Sequence, residues 1–252
     1  LGQALEDQGV VTDAAMFYGW VRLFAKYSAF QAGTYRFTNQ ASPSDVATAM
    51  VNGDSYRPTV LSIAIPEGFT LKQTIERLAA NRVGHVVEVA SLSTDVDFLA
   101  SLSVPSKNLE GYLFPATYNF AEMPTAMQVF SQMVKTFWQN LPKDYQQKVA
   151  AKGLSLHEAV TFASLIELET LNDEEKPLIS EVIWRRLKDG APLAIDAAVI
   201  YGIADYAGDL RRVHLEDKNN PFNTRIKKGL PPTPIGAPSV SSLSAVLTPA
   251  NL

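Results

Sequence analysis

The chain has 252 residues, 46% of them hydrophobic and 19% charged, with a net charge of −4. That much apolar material buries a sizeable core and excludes a disordered tail, a collagen-like fibre and a disulfide-stapled miniprotein. The mildly acidic balance argues against a nucleic-acid partner, whose usual footprint is a basic stripe. Zero cysteines exclude disulfides and thiolate metal sites, and His85, His157 and His214 show no zinc spacing, so neither metal nor cofactor is expected.

The first 57 residues read as a small α/β subdomain. "LGQALEDQG" is helical. Thr12 is placed to cap a second helix carrying Phe17, Trp20, Val21 and Phe24 at i, i+3, i+4, i+7 spacing, a core-facing stripe. Tyr35 and Phe37 in "TYRF" predict an aromatic strand. Ser42-Pro43 caps a short helix that Gly53 closes.

Residues 58–252 read as a larger mixed α/β domain, so the fold class is α+β. Leu61, Ile63 and Ile65 alternate on a strand, and Pro66-Glu67-Gly68 turns the chain. Thr70 with Gln73 forms a capping box opening a helix through Leu78, and a shorter helix follows around Val86 to Leu92. "LEGYLFPATYNF" reads as loop and short strand, and Thr125–Asn140 as an amphipathic helix. Ser155 with Glu158 opens a helix apolar nearly all round, the pattern of a buried one. Asp173 is expected to cap the next helix, which Gly190 ends. From Ala191 the chain reads as irregular, with a proline-stiffened loop over Pro231–Pro238 and no terminal helix. No apolar run approaches the ~18 residues of a membrane span. The start at Leu1 and the stop at "LTPANL" read as cuts in a longer protein, with an upstream anchor or signal left open.

The sharpest chemical oddity is Glu167 and Glu169 inside the apolar helix. At 100° per residue they point about 200° apart, so they do not form one carboxylate pair. A buried glutamate has its pKa raised by desolvation, which is what a general acid near neutral pH needs. The bland alternative is that one or both bind Arg185 or Arg186 on the next helix. Glu110 and Asp196, each in an aromatic or apolar setting, are open between a holding role and a substrate contact. His157 reads as a surface or capping residue. There is no glycine-rich phosphate loop and no GxSxG elbow.

"AGTYRF", "IPEGFTLKQTIERLA", "LEGYLFPATY", "ASLIELET", "IDAAVIYG", "FNTR" and "GLPPTPIGAPS" occur in this order. Together they resemble the YceG-like family of endolytic murein transglycosylases, from about Gly33 to Leu252. The resemblance implies a LysM-like subdomain before the catalytic domain. It also implies an extracytoplasmic enzyme, anchored to the inner membrane by a helix outside this chain, that cuts within nascent peptidoglycan strands and leaves a 1,6-anhydro-N-acetylmuramic acid end. Peptidoglycan strands, and the wall-synthesis machinery, are the partners it suggests. Glu169 matches the catalytic glutamate. Glu167, Glu110, Asp196, Tyr201, Asn223 and Thr224 fall in supporting or substrate-binding positions. The chain departs from the family pattern at Ala116, Ala197, Arg225 and Thr233.

A lytic transglycosylase needs one working carboxylate, because the sugar's own 6-hydroxyl attacks the anomeric carbon. Hydrolytic glycosidases need two across the scissile bond. Two other classes stay open: a peptidoglycan-binding scaffold without catalysis, and a glycan hydrolase with Asp196 as second carboxylate.

Overall fold

Asp13 and Ser42 start the two longer helices of the first of two compact units, Leu1–Val60 and Leu61–Leu252, in a computed structural model that describes residues 1–38, 41–56 and 58–250. Arg57 and Leu252, at which the sequence reading ends the two domains, lie outside the described residues. Unit one contains α1 (Gly2–Asp7), α2 (Ala14–Phe24), a 3-10 turn (Tyr27–Ala29) and α3 (Pro43–Asn52). Asp13 rather than Thr12 caps α2, accepting the Met16 amide at 2.8 Å, because its backbone is the extended one that a cap requires. Ser42 and Asp45 form the box that opens α3, and Gly53 ends it in the left-handed conformation. Phe17, Val21, Val46 and Met50 make a small core, whereas Phe24, expected in it, is 71% exposed.

The expected strand at "TYRF" is absent among the described residues. A strand needs a ladder of backbone hydrogen bonds, and this segment has the contact from the Tyr56 amide to the Thr34 carbonyl at 2.6 Å. Tyr35 and Phe37 stack on each other, centroids 6.0 Å apart, and pack against the small core instead.

Unit two is a helical assembly with one small sheet, an α+β arrangement. In chain order it comprises β1 (Leu61–Ile65), α4 (Leu71–Ala80), α5 (Val86–Leu92), α6 (Val96–Ser101), β2 (Ala116–Phe120), α7 (Ala126–Asn140) and α8 (Tyr145–Ala151). These are followed by α9 (Leu156–Glu169), α10 (Lys176–Lys188), α11 (Asp196–Tyr201), α12 (Arg212–Leu215) and α13 (Val240–Leu247). β1 and β2 pair antiparallel from Leu61↔Phe120 to Ile65↔Ala116, which buries Ile63 and Ile65 beside Tyr118 on one face. Capping boxes at Thr70, Thr125 and Ser155 open α4, α7 and α9.

α9 runs through the core, and every residue from Ala159 to Glu167 is buried. It packs against α8, α10, α11 and α13. A helix apolar on all sides has no solvent face, so its neighbours must surround it. α6, α11 and α13 lie where the sequence reads as loop. Asp95 caps α6, accepting the Phe98 amide at 2.7 Å. α13 arises from a serine-rich stretch of modest propensity and packs against α9 and α10. Asp173 does not cap α10. The helix begins at Lys176, three residues later, with Glu175 at its N-cap, and Asp173 instead pairs with Lys176 at 2.8 Å. The turn before α4 is fastened to the proline loop: the Gly68 amide donates to the Ala237 carbonyl and the Ala237 amide to that of Phe69, both at 2.8 Å. A Cβ on Gly236 would lie 2.6 Å from the Gly68 carbonyl oxygen, so this approach requires glycine.

Candidate active site

The helical phase of α9 separates its two glutamates. Glu167 is 3% exposed and faces the start of α13. Its Oε2 accepts the Ser239 amide at 2.8 Å, the Ser239 hydroxyl at 2.5 Å and the Ser242 hydroxyl at 2.7 Å. The Lys176 ammonium, equally enclosed, lies 3.5 Å away and also donates to Ser239 at 3.0 Å and Ser241 at 2.8 Å. A buried carboxyl with this many donors is fixed in place as a structural group. Its partners are not the arginines expected from the sequence. Arg185 pairs with Glu181 at 2.9 Å, and Arg186 donates to the Leu193 carbonyl. The lone lysine in the first turn of α10 and the serine cluster "SVSS" were the available signals, and neither identifies its partner without the fold.

Glu169, on the other side, is exposed and lines a hollow of about 560 Å³ with Ile179, Val182, Ile183, Leu193, Ile195 and the charged Arg186. Its carboxyl is raised above the ordinary glutamate range, first by desolvation against these aliphatic walls and then by the Asp196 charge, with Arg186 opposing. Asp196, the first residue of α11, is bound by Arg225, Nε to Oδ1 2.7 Å.

Glu110 is 2% exposed. Both its oxygens lie 2.9 Å from the Leu71 amide at the start of α4, and Oε2 accepts the Tyr201 hydroxyl at 2.8 Å. Desolvation pushes its carboxyl up to about 7 against these donors. The Tyr201 hydroxyl is driven well above its usual value by burial and by Glu110, and its ring packs edge-on to Phe222, 4.8 Å between centroids. Asn223 is fully buried. Its Nδ2 donates to the carbonyls of His214, Leu215 and Asp217, and its Oδ1 accepts the Arg225 amide at 3.1 Å. Thr224 Oγ1 accepts the Ile195 amide at 2.9 Å and donates to the Ile195 carbonyl at 3.0 Å. These side chains, read from the sequence as open to sugar contacts, are committed to the 215–225 loop and to α11. His157, read as a surface or capping residue, ties Tyr112 at 3.1 Å to the Pro232 carbonyl at 3.3 Å. Among the described residues no group of His, Asp and Glu is arranged to hold a metal ion, and no helix is long and apolar enough to cross a membrane.

The structure therefore places Glu169 at the hollow, with Asp196, held by Arg225, acting on it from the start of α11, and Glu110 with Tyr201 at the far end of α11, in an α+β domain whose central helix ends on an acid. The YceG-like family profile matches residues 1–252, and the chain belongs to that family. It is 28% identical over 272 residues to the endolytic murein transglycosylase of Streptococcus pneumoniae (strain D39), covering 97% of this chain and 49% of the relative. The endolytic murein transglycosylase of Bacillus subtilis (strain 168) is also 28% identical, over 99% of this chain and 72% of its own length. A solved structure of a YceG-like protein from Listeria monocytogenes superposes with a TM-score of 0.69 at 28% identity, covering all of this chain and 86% of that one. The chain spans about half the length of the pneumococcal relatives it matches.

Proposed function

We propose that this chain carries the catalytic part of an endolytic peptidoglycan lytic transglycosylase, with Glu169 as its one general acid and base. The observation that carries the reading is the contrast between the two glutamates of α9. Glu167 is saturated by buried donors, whereas Glu169 faces an aliphatic hollow with its proton held more tightly than usual. Glu169 protonates the glycosidic oxygen between N-acetylmuramic acid and N-acetylglucosamine as the bond breaks. The carboxylate then takes the proton of the 6-hydroxyl as that oxygen attacks the anomeric carbon, giving the 1,6-anhydro end with no water consumed. The tethered hydroxyl has a large effective-concentration advantage over water. Asp196 is engaged by Arg225, which disfavours it as a water-activating base.

The names of the relatives support murein as substrate. The same reading puts the enzyme on the outer side of the inner membrane beside wall synthases, with its anchor outside this chain and unit one as a LysM-like module. The test is Glu169→Gln on isolated glycan strands, with products weighed without reduction. We expect turnover to fall by ~10²-fold or more and the wild-type product to be lighter by one water than a hydrolysis product. A free reducing end carrying oxygen-18 from labelled water makes the chain a hydrolase and returns Asp196 to catalysis. Strand binding without cleavage by the wild type makes it a scaffold.

A further inference from the structure

α11 is six residues long, too short to fix its own orientation. Its flanks decide where it lies. Before its start, Thr224 Oγ1 clasps both backbone groups of Ile195. Along its length, Asn220 Nδ2 donates to the Val199 carbonyl at 2.9 Å. At its last residue, the Tyr201 hydroxyl reaches Glu110, whose carboxylate also holds the first amide of α4. Ile195, immediately before α11, lines the same hollow as Glu169, and the charge of Asp196 acts on Glu169. A carboxylate buried this deeply disfavours folding unless it holds something in place, and what Glu110 holds is the far end of this helix.

We propose that Glu110 and Tyr201 are a positioning pair for Glu169: by tying the end of α11 to the start of α4, they keep Asp196 beside the reacting carboxyl. The role is distinct from substrate contact, and it rests on the reading of Glu169 as the proton donor. Two charged groups face Glu169, Asp196 from α11 and Arg186 from α10. Glu110 is faced by Tyr201 from α11, by the Leu71 amide from α4 and by the Gly111 amide of its own loop.

The experiment is a carbon-13 NMR titration of the Glu169 carboxyl in the full 252-residue chain, comparing wild type, Tyr201→Phe and Glu110→Leu. Melting temperature is recorded alongside, with kcat and KM on isolated glycan strands. Tyr201→Phe keeps the ring against Phe222 and removes only the tethering hydroxyl. Its Glu169 midpoint should fall by about half a pH unit as Asp196 drifts away and water enters, with kcat down roughly tenfold at unchanged KM and a melting temperature lowered by a few degrees through the donor lost to Glu110. Glu110→Leu, which removes both acceptor oxygens, should move the midpoint in the same direction, and it decides the matter where Tyr201→Phe fails to fold. A Glu169 midpoint unchanged in the folded variants overturns the proposal. So does a raised KM at unchanged kcat, which would make Tyr201 a substrate contact. Wild-type protein that cleaves no glycan ends the transglycosylase reading, while the titration still decides the tether.

Discussion

Replacing Lys176 by Met removes the cation from the most enclosed ion pair of the molecule's described residues, where Lys176 and Glu167 are 2% and 3% exposed. Breaking a buried pair from one side costs about 3–5 kcal/mol, because the remaining charge keeps its desolvation penalty. Glu167 retains the Ser239 amide and the Ser239 and Ser242 hydroxyls, so the lower end of that range, about 3 kcal/mol, is the expected loss. For a unit of this size each kcal/mol moves the midpoint by about 2–4 °C. Thermal unfolding at pH 7, followed by circular dichroism, should therefore show a drop of roughly 6–12 °C. Glu167→Gln with Lys176→Met should recover part of it, since the amide can accept from the same serines and carries no charge. The cycle should give a coupling of about 1–3 kcal/mol. A Lys176→Met midpoint close to wild type, or a coupling near zero, would refute the view that this pair locks the end of α9 to α13.

Asn223→Ala leaves the Leu215 and Asp217 carbonyls without their side-chain donor, so it should lower stability by about 1–3 kcal/mol, read as a lowered urea midpoint at constant m-value. Arg225→Ala frees the Asp196 charge beside Glu169, so the alkaline limb of the glycan-cleavage pH profile should move up, with stability within about 1 kcal/mol of wild type because the pair is largely exposed. Glu110 is protonated more readily in the folded chain, about 7 against 4.5, so it binds a proton that the unfolded chain lacks across that window. The stability it lends is full below pH 4.5 and is lost as pH rises through 7, by about 3 kcal/mol. Glu110→Gln should flatten that decline in melting temperature between pH 5 and pH 8.

Helices with their own start signals were legible: Ser42, Thr70, Thr125 and Ser155 each announce the helix they cap, because capping is decided within four residues. β1 was legible through its alternation, though not its pairing with β2, which joins Ile63 to Tyr118 across the intervening helices. α11 and α13 were not, since neither carries a strong local signal and both are made by tertiary contacts. The phase of α9 put Glu167 and Glu169 on opposite sides, a point settled by helix geometry alone. Which one is enclosed was not legible, because Lys176 and Ser239 approach from distant parts of the chain. The acceptors of Asn223 were not legible for the same reason: a polar side chain in an irregular segment offers hydrogen bonds to many partners, and here its Nδ2 meets the backbone of its own loop.

The hydrogen bonds from Ser239 and Ser242 to Glu167 span 72 and 75 residues. A ribosome delivering about 5–20 residues per second needs roughly 4–15 s to make that stretch. Through that interval the central helix exists as an apolar cylinder bearing a carboxylate with no seat, and its buried register has nothing to lock against. A chain stopped just short of Ser239 lacks the donors that seat Glu167 and leaves α9 without α13 along one side.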